Sequence, residues 1–208
     1  AKNRGYQVLV FDSQLDAHFV NLLESKLENA KFARVDADSI DNLIQKENKE
    51  KPVLKEGQER DLGYAFEAVL PQGAHYHVQV DNLGATAAPI VITQSEFMRR
   101  YREMSALNGG LNFYGSMPES YTITLNYENP IMKGIIDTME GDTACKVADI
   151  KGENDEEKTA ARKAIMEEFA KGNDLMKQTV DLALLSNNML KGKELHAFIQ
   201  RSLDLLKK

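Results

Sequence analysis

His75 and His77 stand two residues apart, and on a strand that spacing turns both imidazoles to one face, as a pair of zinc ligands requires. No Cys, further His or paired carboxylate lies near them in the sequence to complete a tetrahedral set, so a solvated strand face is the plainer reading. Asp36, Asp38 and Asp41 imitate the opening of a calcium loop, but the glycine that the sharp turn needs at the sixth position is missing. Helix capping and solvation account for them. Cys145 has neither a base nor an activating motif beside it, and a thiol becomes a nucleophile only as the thiolate. No Gly-rich phosphate loop, serine elbow or His-Glu metalloprotease helix is present. The signatures of catalysis most easily read from a sequence are therefore missing, and no catalytic, cofactor-binding or metal-binding residue is assigned.

Composition narrows the classes further. The 208 residues are 42% hydrophobic and 28% charged, ordinary values for a chain that buries a core. The formal net charge of −6 argues against a nucleic-acid partner, whose phosphates reward a basic excess. The single cysteine allows no internal disulfide and suits a reducing, cytoplasmic compartment. No apolar run approaches the roughly 18 residues that span a bilayer, so no membrane partner is expected. The chain starts at Ala1 and enters a strand-like run at once, which reads as a segment of a longer protein.

The expected fold class is α/β in the α+β sense. Tyr6–Phe11 reads as a buried strand, and Leu15, Phe19, Leu22, Leu23 and Leu27 recur at helical spacing. Lys31–Val35 suits a second strand, and Ile40, Leu43 and Ile44 a second helix, giving a small β-α-β-α unit. Lys46–Arg60, dense in Lys, Glu and Gln, reads as a linker. A helix over about Asp61–Leu70 follows. Alternation at Tyr76, Val78 and Val80 predicts a half-buried strand, Pro89–Ile92 a second, and Tyr121–Tyr127 a third. Thr93 and Glu96 form a capping box for a helix carrying Phe97, Met98, Tyr101, Met104 and Leu107, whose face suits either a core or an adhesive surface. Asn129-Pro130 should open a helix carrying Ile131, Ile135 and Met139. Gly141–Lys158 reads as a polar loop, then a helix over Asp155–Lys171, then helices over about Asp174–Asn188 and Lys193–Leu206. This last hairpin is too apolar to hide both faces within itself. It must pack on the preceding domain or on a second chain, and pairing two hairpins into a four-helix bundle is the economical symmetric solution.

Four stretches carry a resemblance to bacterial HtpG-type members of the ninety-kilodalton heat-shock chaperone family. They are Gly5-Tyr6-Gln7-Val8-Leu9 continuing to Leu15-Asp16-Ala17-His18-Phe19; Ile92-Thr93-Gln94-Ser95-Glu96-Phe97-Met98-Arg99-Arg100; Phe113-Tyr114-Gly115-Ser116-Met117-Pro118 running to Pro130; and Asp181-Leu182-Ala183-Leu184-Leu185 with Phe198-Ile199-Gln200-Arg201-Ser202. The resemblance implies that residues 1–55 end the chaperone's middle domain and residues 56–208 form its C-terminal dimerisation domain. It implies a homodimer through a four-helix bundle, with Leu182, Leu185, Met189, Leu195, Phe198, Ile199, Leu205 and Leu206 at the interface. It makes Phe97, Met98, Tyr101, Met104 and Leu107 contacts for unfolded or partly folded client proteins. ATP and magnesium would bind in an N-terminal domain outside this sequence, so this segment is not expected to act as an enzyme. The other class left open is a small α/β ligand-binding or enzymatic domain using His75, His77 and nearby carboxylates.

Overall fold

A computed structural model describes residues 7–11, 13, 16–27, 29, 32, 54–55, 57–94, 119–152 and 154–207. The chain divides into two compact units, Ala1–Glu47 with Gln94–Asn112, and Asn48–Thr93 with Phe113–Lys208.

In the first unit the described element is a helix, α1 (Asp16–Lys26). Asp16, in its first turn, accepts from the Ser13 backbone N–H at 2.7 Å, which ties the preceding residues to the helix start. The strand expected at Tyr6–Phe11 does not form over its described part: residues 7–11 carry no strand pairing, and Leu9, Val10 and Phe11 are exposed. A short apolar run without clear alternation does not itself specify a strand, since a strand is completed only by the ladder of a neighbour. Apart from Phe32, the expected second strand and second helix of this unit lie outside the described residues.

The second unit contains α2 (Gln58–Glu67), β1 (His75–Asp81), β2 (Ile90–Thr93), β3 (Ser120–Asn126), α3 (Pro130–Ala148), α4 (Asp155–Gly172), α5 (Asp174–Ser186) and α6 (Gly192–Leu205). The described residues thus make a mixed α+β architecture of six helices and one three-stranded sheet. The sheet order is β1-β3-β2: β1 runs parallel to β3, with Val78 opposite Ile123, and β2 runs antiparallel to it, with Ile92 opposite Ile123. Tyr76 and Tyr121, paired in this register, stack with ring centroids 6.0 Å apart. Being central, β3 buries Ile123, Thr124, Leu125 and Asn126 in succession, so its inner half loses the polar face that alternation predicted.

Local chemistry sets the helix starts. The Asn129 side chain accepts from the Ile131 N–H with Pro130 at the first helical position, and the Asn173 side chain accepts from the Met176 N–H. Asp155, Glu156 and Glu157 fill the first turn of α4, where carboxylates favour the helix dipole. The helix expected from Asp155 starts at that residue, while the first part of the loop expected over Gly141–Lys158 is instead the last two turns of α3, which runs to Ala148. Thr143 is buried there and donates to the Met139 carbonyl at 2.7 Å, so packing carries the helix through the glycine.

Leu62 and Phe66 of α2, Ile123 and Leu125 of β3, Met132, Ile135 and Met139 of α3, Met166 of α4, and Met176 and Leu184 of α5 form the core. Four of its large members are methionines, whose flexible thioethers fill the irregular gaps where helices meet a twisted sheet.

Candidate interaction surface

Within the second unit, the α5–α6 hairpin carries most of the exposed large apolar side chains among the described residues. The turn between the helices is built by the Asn188 N–H donating to the Leu185 carbonyl and the Met189 N–H donating to the Leu184 carbonyl. Asn188 takes a left-handed backbone (φ 58°), which Asn tolerates better than most side chains, and Leu190 is buried beneath the turn.

Three layers follow across the hairpin. Facing inward, Met176, Val180 and Leu184 of α5 enter the core, with Leu185, Met189, Leu195 and Phe198 half-buried against it. Along the seam, Gln178 Nε2 donates to Ser202 Oγ at 2.5 Å, and Arg201 pairs with Asp181. Burial holds the Asp181 carboxyl above the usual carboxylate range, against the pull of Arg201 and with a smaller push from Glu194. Facing outward are Leu175 and Leu182 of α5, spaced i, i+7, and Ile199 and Leu203 of α6, spaced i, i+4, with Leu206 at the C-cap of α6. Leu182, Ile199 and Leu203 are 53%, 45% and 47% exposed, and Leu206 at the chain end is 84% exposed.

The sequence-derived interface residues therefore separate into two sets. Leu182, Ile199 and Leu206 face outward; Leu185, Met189, Leu195 and Phe198 lean on this chain's own core; the Leu205 side chain lies outside the described ones. Leu203 and Leu175 belong to the outward set, and Leu203 was legible from its spacing to Ile199 and Leu206. Phe97, Met98, Tyr101, Met104 and Leu107, together with Asp36, Asp38 and Asp41, lie outside the described residues. His75 and His77 are both exposed on β1, and among the described residues no group of three His, Cys, Asp or Glu side chains could hold a metal ion. Cys145 is exposed on α3. Among the described residues no helix is long and apolar enough to cross a membrane.

Over 99% of its length the chain is similar to bacterial molecular chaperones. These relatives are the HtpG chaperones of Bacteroides fragilis strain 638R (36% identical), Bacteroides thetaiotaomicron (35%) and Porphyromonas gingivalis strain W83 (37%). The resemblance to HtpG carried by the four stretches thus extends along the whole chain. In each case the chain spans 36% of the relative's own length. The alignments run over 244 positions, more than the 208 residues present, so the relatives carry residues that this chain lacks. No family model matches the chain.

Proposed function

We propose that this chain is the self-associating segment of an HtpG-type chaperone, joining two copies through the outer face of the α5–α6 hairpin and contributing a client-binding surface. The observation that carries this reading is the exposure of four large apolar side chains on one hairpin, Leu175, Leu182, Ile199 and Leu203. Apolar side chains gathered on one surface element mark an interaction site, and a two-fold pair of hairpins covers them by forming a four-helix bundle. Each such side chain taken out of water contributes on the order of 1.5–3 kcal/mol, discounted here because each is already about half covered. Association keeps two chaperone arms at high effective concentration. Clients engage Phe97, Met98, Tyr101, Met104 and Leu107. ATP binding and hydrolysis, with magnesium, fall to the parts of HtpG outside this span, and the protein works in the cytoplasm.

Light scattering tests this on the chain as it stands and on Ile199→Asp with Leu203→Asp. These positions face outward, so charge there opposes pairing without entering the core, which Leu195 and Phe198 would not permit. A dimer that becomes a folded monomer in the variant supports the reading. A wild-type monomer at tens of micromolar, on the order expected to populate a stable pair, refutes it.

A further inference from the structure

The helix α6 is held differently from its neighbours. Four side chains of α2, five each of α3 and α5, and two of α4 are buried. None of the described side chains of α6 is; Leu195, Phe198, Arg201 and Ser202 reach only half burial. Its seam with α5 carries two polar pairs, Gln178 with Ser202 and Asp181 with Arg201, beside Leu195 and Phe198 half-buried against the core. Two atoms of that seam, Gln178 Oε1 and Arg201 Nε, are sealed from solvent with no hydrogen-bond partner among the described residues. An enclosed polar atom without a partner opposes docking, because undocking returns it to water. The Asp181 carboxylate is partly desolvated as well, which works in the same direction. The connection adds a joint: Leu190 is buried, and two residues later Gly192 has φ 58°, a left-handed backbone that starts α6 as a separate rod.

We propose that α6 is a releasable arm, which swings off α5 about the Lys191–Gly192 joint as a unit while α5 and the sheet stay folded. Combined with the self-association reading, on which this consequence rests, release makes the pairing face conditional. Leu175 and Leu182 stay with α5, whereas Ile199 and Leu203 leave with α6, so only the docked arm presents the composite face. Pairing in turn holds the arm down.

Peptide-resolved hydrogen exchange on the full chain, over a dilution series, tests the arm. The expected result is exchange across α6 through one common opening, at least about tenfold more frequent than the opening that exposes β3. Two seam variants, Asp181→Leu with Arg201→Leu and Gln178→Leu with Ser202→Ala, should each slow that opening about tenfold, since apolar pairs of similar volume often outdo a buried polar pair. The proposal is overturned if α6 exchanges only together with β3, if its protection merely grades from the chain end as in fraying, or if neither variant slows it. Solution mass on the same samples keeps the two ideas apart. A monomer whose α6 opens as a unit overturns association and supports the arm, while a dimer that dilution splits into monomers whose α6 stays as protected as β3 overturns the arm alone.

Discussion

Arg162 and Asp61, 101 positions apart in sequence, meet in a two-pronged pair: Nε donates to Oδ1 and Nη2 to Oδ2, each at 2.5 Å. The pair ties α4 to α2 at a point where the Asp61 residue is only 6% exposed. The hydrogen bonds that Asp61 accepts hold the Arg162 guanidinium protonated beyond its already high range. Removing one partner of a buried pair leaves the other desolvated without compensation, a loss of about 3–5 kcal/mol. Arg162→Ala should fall near the low end, because the arginine itself keeps some solvent contact. Asp61→Leu with Arg162→Leu should lose much less than the single variant. Urea midpoints check this; a single Arg162→Ala change that leaves the midpoint in place shows the pair to be dispensable.

Asn126 performs a second long-range task. It is fully buried at the end of β3, and its Nδ2 donates to the carbonyls of Gly84, Ala87 and Ala88, while its Oδ1 accepts from the Leu83 and Glu128 N–H groups. One amide thus satisfies the connection between β1 and β2. Asn126→Asp turns the three donor contacts into carboxylate facing carbonyl oxygens, and Asn126→Ala leaves the backbone groups unpaired. Either should cost about 2–3 kcal/mol, with Asp the worse at neutral pH and recovering as acid protonates it. Thermal unfolding of both variants at about pH 4 and about pH 7 reads the difference; an Asp variant insensitive to pH would mean the site admits water.

Residues that make their own local structure were legible in the sequence. Asn129-Pro130 opens a helix where expected, the helix expected from about Asp174 starts there, and alternation located β1 and β3. Residues whose conformation depends on distant neighbours were not. Gly141 reads as a stop, yet Met139 and Thr143 on either side are buried and draw the helix onward. Val10 has the composition of a strand residue and stands 88% exposed, without a ladder to join. At the hairpin the difficulty is one of kind: Phe198 and Ile199 are both apolar and adjacent, and hydropathy does not tell which meets this chain's core and which faces outward. Helical spacing does, once the inward residues are known.

Two carboxylates should give stability opposite dependences on pH. Burial raises the folded Asp181 value above its unfolded one, so its contribution is full below the unfolded value and is lost as pH rises through the folded one. The Glu140 carboxyl is lowered by the hydrogen bond from Lys55, at 2.9 Å, so its contribution is present above the unfolded value and is lost as pH falls through the folded one. Asp181→Asn should therefore gain on the wild type between about pH 4 and about pH 7, and Glu140→Gln should lose ground over the same interval. The second effect is the smaller, since water reaches the Lys55 pair. Urea midpoints at the two pH values decide. An Asp181→Asn gap that shrinks towards neutrality would show that Arg201 outweighs burial.

The passage of α3 through Gly134 and Gly141 makes the last expectation. Both lie within the helix, neither has a positive φ, and a Cβ built on either meets nothing within 4 Å. Glycine in a helix interior is less favourable than alanine by about 0.5–1 kcal/mol, mostly through the freedom that it leaves the unfolded chain. Gly134→Ala with Gly141→Ala should therefore stabilise the fold by about 1–2 kcal/mol, with the two single changes additive because the sites are seven residues apart and share no partner. If residues 141–148 were instead a loop in solution, Gly141→Ala would give little or nothing while Gly134→Ala kept its gain. The comparison of the two single variants by chemical denaturation thus tests both the stabilisation and the extent of the helix that carries Met139 and Thr143 into the core.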